Sequence, residues 1–315
     1  NRISERTELE LANDVWVVPS GGGVPRRLTR STGPANYPSW SPDGRLIAYT
    51  GHNRRSGYYT NRGLWVVPFE GGEPREVTAG FRYPVGDFAI KDVLGVEQPG
   101  ITPQWSPDGK SIYMIVSANG AVHLWRFFVP DRRAIQLTNG PMVIYNLSFN
   151  HGSSKVAMAV TSPTLPSDIW FGEIDGETVR VRKLTNVNRD WLDQVTLARP
   201  TRFAFRTSGG PEVEGWILRP TYSKAEKTPA ILQIHGGPTV MYGYVFFFEF
   251  QLLAANGFAV IFANPRGSMG YGEEFAAAIR GDWGNHDYAD LMAAVDAALS
   301  QGTLDPGRLG VAGGS

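Results

Sequence analysis

Ser315 follows two glycines and a short apolar run, Arg308-Leu309-Gly310-Val311-Ala312. A serine hydroxyl turns nucleophilic when a base takes its proton, and a Gly-x-Ser turn bends the backbone sharply enough to lift that hydroxyl above a strand end. Gly313-Gly314-Ser315 reads as the opening of a Gly-x-Ser-x-Gly turn, with Ser315 as candidate nucleophile. Many glycine-rich loops contain these three letters, so the signal needs a companion. It has one in His235-Gly236-Gly237-Pro238, directly after the apolar run Ala230 to Ile234. Glycines there let a main-chain N–H, that of Gly237, approach an oxygen that becomes negative during acyl transfer.

The remaining candidates carry weaker signals. His235 is tempting as a general base, but the triad of such a turn runs Ser, Asp, His along the chain, so His235 is assigned to fixing its loop by a hydrogen bond. Tyr242, Tyr244 and the run Phe246-Phe247-Phe248 follow closely and are read as walls of an apolar substrate pocket or as core. Asp287 and Asp290 lie near the start of a helix, where carboxylates favour the positive end of the dipole. His52, His123, His151 and His286 lack metal-ligand spacing, and no metal or cofactor is expected.

These groups need a scaffold that holds two loops side by side. Arg202 to Arg206 and Glu214 to Leu218 flank Ser208-Gly209-Gly210 as a hairpin, and Ala230 to Ile234 and Phe258 to Phe262 read as buried strands. A short helix over Glu273 to Arg280 and a longer one over His286 to Ser300 follow, the latter with Leu291, Met292, Val295, Ala298 and Leu299 on one face. Arg308 to Ala312 is the next buried strand. This is the N-terminal part of an α/β-hydrolase domain, assigned to residues 197–315.

Residues 1–196 repeat instead. Trp16, Trp65, Trp125 and Trp170 each sit in an apolar strand, and Thr29, Thr78, Thr138 and Thr185 follow them by 13, 13, 13 and 15 residues. Turn residues between Trp and Thr make each interval a hairpin. Trp40-Ser41-Pro42-Asp43-Gly44 recurs letter for letter at Trp105-Ser106-Pro107-Asp108-Gly109. Units of about four short strands match β-propeller blades, about four of them visible, with the aromatics packed between neighbours. Thr78 to Trp105 takes 27 residues where comparable intervals take 11. The excess, within Phe81 to Thr102 and including Tyr83, Phe88 and Glu97, is a loop that either reaches a ligand or neighbouring domain or is a surface excursion.

Composition agrees with two sizeable cores: 315 residues, 42% hydrophobic and 12% aromatic. Thirty basic and thirty acidic residues give no net charge, which removes an electrostatic reason for a nucleic-acid or anionic-membrane partner. There is no cysteine, hence no disulfide or thiolate site, which is compatible with a cytoplasmic location. No membrane-spanning run is evident. The abrupt start and the stop at Ser315 are read as those of a fragment, lacking earlier blades and a C-terminal segment on the same gene or a second chain.

The C-terminal motifs converge on a family. His235-Gly236-Gly237-Pro238, Asn264-Pro265-Arg266-Gly267-Ser268-Met269-Gly270-Tyr271-Gly272, Gly281-Asp282-Trp283-Gly284 and Gly313-Gly314-Ser315 resemble the prolyl oligopeptidase family of serine peptidases. The acylaminoacyl-peptidase branch is the most similar, because Gly314 stands where dipeptidyl-peptidase-IV-like members usually carry Trp. The resemblance implies a propeller joined to an α/β-hydrolase domain. It implies acyl transfer in which Ser315 attacks a peptide carbonyl, Gly237 N–H helps hold the oxyanion, and an Asp and a His outside this chain move protons. Arg266 resembles a position that braces the active-site loops, with substrate contact as the alternative. The substrate implied is a short peptide, N-acylated ones included, and homo-oligomerisation stays open. Without the Asp and His, the isolated chain is expected to be inactive. A carboxylesterase, a dipeptidyl-peptidase-like or carboxypeptidase-like enzyme, and a non-catalytic peptide-binding propeller are the alternatives.

Overall fold

The repeating Trp and Thr positions are the two sides of a latch. A computed structural model describes residues 12–30, 32–92, 100–207, 209–222 and 226–314; Glu97, Ser208 and the candidate nucleophile Ser315 lie outside them. The strands are β1 (Trp16–Val17), β2 (Arg26–Arg27), β3 (Ala35–Trp40), β4 (Leu46–Gly51), β5 (Gly63–Pro68), β6 (Arg75–Glu76), β7 (Gln104–Trp105), β8 (Ser111–Ala118), β9 (Ala121–Phe128), β10 (Ala134–Gln136), β11 (Val143–Phe149), β12 (Lys155–Ser162), β13 (Leu165–Asp175) and β14 (Thr178–Lys183). Each repeat Trp lies on β1, β5, β9 or β13, and the hairpin to the next strand forms as the turn residues predict. Each Thr hydroxyl accepts the N–H of the residue before its Trp: Thr29 from Val15 (3.0 Å), and Thr78 from Leu64, Thr138 from Leu124 and Thr185 from Ile169 (2.9 Å each). A side chain thus extends each hairpin by one rung past its last backbone pair.

Strands β3 to β6 form one antiparallel meander. Strands β7 to β10 and β11 to β14 form two more, joined through a single parallel pair, Val122 opposite Val143. Asp-Gly bends join β3 to β4 and β7 to β8, with Gly44 and Gly109 at φ +70° and +66°, where a Cβ is disfavoured. The serines of both Trp-Ser-Pro-Asp-Gly copies close these turns: Ser41 and Ser106 donate to Asp43 and Asp108 at 2.7 and 2.6 Å.

The apolar cores lie between consecutive meanders. Leu64 and Val66 pack with Trp105, Ile112, Met114 and Phe127, whereas Ile115 and Leu124 pack with Val143, Val156 and Met158. Trp105 spans such a seam, its indole N–H donating to Ser39 O at 3.2 Å. Trp40 departs from the sequence reading: it is 52% exposed and leans on Phe69.

The period changes after the helical turn α1 (Arg189–Leu192). Strands β15 (Pro200–Arg206), β16 (Glu212–Leu218), β17 (Thr228–His235), β18 (Ala259–Asn264) and β19 (Leu304–Gly314) form a mixed sheet in the order β15-β16-β18-β17-β19. β17 runs parallel to both β18 and β19. Helix α2 (Phe248–Ala255), which sequence periodicity missed, joins β17 to β18. Helices α3 (Glu273–Ala277) and α4 (His286–Leu299) follow close to their expected bounds. One core, with Trp216, Tyr242, Phe250 and Phe262, sits under α2; a second, with Ile217, Leu232, Ile261, Leu291 and Ala298, sits under α4. Helices therefore cover both faces of the sheet, as parallel strands require.

Two expectations are corrected. β19 pairs as expected but is exposed, Val311 at 69%, because it is the edge of the sheet. On α4 the buried stripe is Asp290, Leu291, Ala294 and Ala298, and Met292 points away from it.

Among the described residues, no helix is long and apolar enough to cross a membrane.

Candidate active site

The site gathers where β17 and β19 end side by side. Their register sets Ile234 opposite Gly313 and His235 opposite Gly314, so Gly313 and Gly314, still in strand conformation, end beside the start of the Gly236-Gly237 loop. The structure thereby unites two motifs that lie nearly eighty residues apart in the chain. Gly237 is exposed at φ +117°, and a Cβ there would fall 2.7 Å from Val240 Cγ2. Glycine is therefore required for this bend.

His235 fixes the loop as expected. Its Nδ1 lies 2.9 Å from Gly236 O and its Nε2 3.0 Å from Ser268 Oγ. Because a carbonyl only accepts, Nδ1 donates to Gly236 O, while the Ser268 hydroxyl beside Nε2 gives its own proton to Pro265 O at 2.7 Å. Burial pushes the imidazole pKa down, which keeps the ring neutral in this role.

Behind His235 stands Tyr242, whose ring meets the imidazole edge-on at 5.0 Å and packs on Phe247, Phe250 and Phe262. The crevice beside it, lined by Pro163, Leu218 and Phe250 among others, holds only about 10 Å³, less than a side chain needs. Tyr244 rests edge-on against the buried Trp216 at 5.7 Å.

Asn264, at the end of β18, clamps the loop. Its amide accepts Tyr242 N–H at 2.7 Å and donates to Tyr242 O at 2.8 Å and to Tyr271 OH at 2.8 Å. Tyr271 in turn donates to Glu214 at 2.6 Å, and Glu214 pairs with Arg202. Burial first, then the Glu214 charge, raises the Tyr271 pKa well above that of an ordinary phenol, so it stays a donor.

Arg266 is committed to Asp290. Its backbone N–H and Nε donate to Oδ2 at 2.9 and 2.8 Å, and Nη2 donates to Oδ1 at 2.8 Å. Asp290 is fully buried, and Thr207 Oγ1 completes its shell at 3.1 Å. The hydrogen bond to Asp290 raises the Arg266 pKa further. Arg266 and His286 also line a cleft of about 660 Å³ with Arg55, Arg82, Tyr271 and Glu273, so both parts of the chain contribute to it. Among the described residues, no cluster of His, Asp and Glu has the makings of a metal site.

Sequence reasoning missed Asn264, Glu214, Ser268 and the pairing of Asp290. Two of them left signals: Glu214 is the one charge within the apolar run Val213 to Leu218, and Asp290 occupies the buried stripe of α4. Unpaired, such charges do not stay buried.

The sequence model of the prolyl oligopeptidase family matches residues 244–315. An uncharacterized peptidase, YuxL, of Bacillus subtilis is 37% identical over 235 residues, which are 73% of this chain and 35% of that protein. Dipeptidyl-peptidase 5 of Porphyromonas gingivalis is 28% identical over 313 residues, 98% of this chain and 43% of the relative. The chain thus spans less than half the length of these curated relatives. The uncomplexed acylaminoacyl peptidase of Pyrococcus horikoshii shares the fold, with a TM-score of 0.75 at 24% identity over 95% of this chain and 43% of that one. An acylaminoacyl peptidase in complex with Z-Gly-Gly-Phe-chloromethyl ketone aligns with a TM-score of 0.76, also at 24% identity and with the same coverage of both chains. Residues 244–315, which carry Arg266, Asp290 and the Gly313-Gly314-Ser315 motif, are the part of the chain that matches the prolyl oligopeptidase family.

Proposed function

We propose that the protein carrying this chain is a serine peptidase that cleaves short peptides by acyl transfer. Ser315 is the nucleophile, Gly237 N–H holds the oxyanion, and the base and its carboxylate partner lie outside these residues. The observation that carries this reading is the β17–β19 register, which brings the Gly237 loop and Gly313-Gly314 to the same strand ends. Tyr242 and Tyr244 support the segment behind His235 from the core, and Arg266 is read as a brace of its own loop through Asp290. Residues 1–196 are read as propeller blades and 197–315 as the hydrolase domain. The blade reading draws on the stacked meanders, and the boundary on β15, which pairs only into the second sheet. The propeller would limit entry to short chains.

The acylaminoacyl specificity follows the fold likeness, whereas the curated relatives include dipeptidyl peptidases, so the free-amine reading is kept beside it. The test compares hydrolysis of an N-acetyl-alanyl anilide, a free-amine dipeptidyl anilide and a simple ester by the protein and its Ser315→Ala variant. Amide hydrolysis abolished by Ser315→Ala is expected; ester hydrolysis alone would make it an esterase, and activity surviving the substitution would remove Ser315 from the mechanism.

A further inference from the structure

Arg62 precedes β5 and takes no part in the site described so far. Its side chain is half-buried, and its guanidinium lies 4.9 Å from the centre of the Phe88 ring. Gly86 faces it, and a Cβ there would come within 3.1 Å of Nη1. Arg62 O also accepts Val85 N–H at 2.8 Å, so the residue is tied to the long loop on both counts.

Three arginines near the site have acids, and Arg82 donates to Tyr271 O at 3.2 Å. Arg55 pairs with Glu273, Arg202 with Glu214 and Arg266 with Asp290. Among the described residues, Arg62 has neither a carboxylate nor a hydrogen-bond acceptor for its side chain. Its own charge reaches outward: the imidazole pKa of His52 is pushed down to about 4, first by burial and next by Arg62. A guanidinium has five donors in a fixed fork that matches a carboxylate, and a desolvated one with no acid beside it is incomplete without an anion. Tyr37 holds φ +55°, a backbone angle that non-glycine residues rarely keep without a local reason.

The position relates to the site. Phe88 O accepts Met241 N–H at 2.9 Å, and Met241 follows Gly237 by four residues. The ring that carries the guanidinium is thus joined by one hydrogen bond to the segment leaving the oxyanion loop.

We propose that Arg62 recognises a carboxylate of the peptide substrate, its fork taking both oxygens while the Phe88 ring fixes its plane. This rests on the peptidase reading above. The carboxylate is either the free C-terminus of the peptide or an acidic side chain, which present the same two oxygens.

The test measures binding of three peptides by calorimetry: N-acetyl-tetra-alanine as the free acid, the same peptide as its C-terminal amide, and an amide in which one alanine is replaced by aspartate. The wild-type chain is expected to bind a carboxylate-bearing peptide on the order of tenfold to a hundredfold more tightly than the plain amide, the range of a charge-assisted bond. Tight binding of the free acid alone identifies the C-terminus as the source, and tight binding of the aspartyl amide identifies the side chain. Arg62→Met should erase the preference and Arg62→Lys keep part of it, with unchanged far-ultraviolet circular dichroism showing that both fold; Arg62→Gln replaces Arg62→Met if the latter does not. Equal binding of all three peptides, a preference that survives loss of the guanidinium, or no measurable binding would each overturn the proposal. Hydrolysis by the Ser315→Ala protein, assayed separately, tests the peptidase reading without touching Arg62.

Discussion

Replacing Asp290 by alanine tests the claim that Arg266 is a brace. The Asp290 carboxylate is fully buried and receives Arg266 N, Nε and Nη2 and the Thr207 hydroxyl, all within 3.1 Å. Without it, Arg266 retains only Thr207 Oγ1 at 3.2 Å and His286 O at 3.4 Å, although its side chain is only 11% exposed. Breaking a buried pair in this way costs about 3–5 kcal/mol, mostly from the charge left behind. In a urea titration this corresponds to a midpoint lowered by roughly 1–2 M for a typical slope. Arg266→Met alone should cost as much, because it strands the carboxylate. The double variant Arg266→Met/Asp290→Leu should recover most of the loss, since two apolar side chains leave no buried charge. The measurement is the unfolding free energy of all four proteins by tryptophan fluorescence. A cost under about 1 kcal/mol for Asp290→Ala, or a double variant as unstable as the sum of the singles, would refute the reasoning.

Three further outcomes are expected. Thr138→Val keeps the shape of the latch but leaves the buried Leu124 N–H without its acceptor, so it should destabilise by about 1–3 kcal/mol in thermal melts, with Thr138→Ser close to wild type. Gly237→Ala forces a Cβ against Val240 at a φ that disfavours one and rotates the candidate oxyanion donor; in the protein carrying this chain, kcat measured by initial rates should fall by about 10²–10³. Burial pushes His123 down to about 4, and His52 shows the same value from burial and neighbouring arginines, against an ordinary 6.5. The unfolded state then binds more protons, so stability is full above pH 6.5 and is lost as pH falls toward 4; the slope of unfolding free energy over that window should flatten in His123→Gln.

Much of this was legible in the chain because it rests on local chemistry. The Trp-to-Thr interval is a hairpin plus one side-chain rung, and the Trp-Ser-Pro-Asp-Gly copies are turns closed by their own serine and aspartate. What escaped was set by partners distant in sequence. Helix α2 opens with aromatics, and its first N–H groups are capped by Asp92, 156 residues upstream. The exposure of β19 and of Met292 depends on what packs against them, which periodicity does not encode. Asn264 is an ordinary strand-end residue until Tyr242 is folded against it.

The same long-range contacts explain how the oxyanion loop is held. After Gly237 the chain runs through a series of hydrogen bonds to the N-terminal part. Met241 N–H donates to Phe88 O, Ile90 N–H to Met241 O, Tyr244 N–H to Gly120 O and Phe246 N–H to Thr161 Oγ1. Asp92 then takes the Phe248 and Glu249 N–H groups at 3.0 and 2.8 Å. Five residues from the strand-rich half thus fix the path of a segment that also carries Tyr242 and Tyr244. Four of these six bonds end on Phe88, Ile90 or Asp92, so the described part of the long loop is a structural clamp on the site rather than a surface excursion. Because these bonds hold main-chain groups of the segment that leaves the oxyanion loop, a substitution that displaces Ile90 or Asp92 acts on the site through backbone geometry.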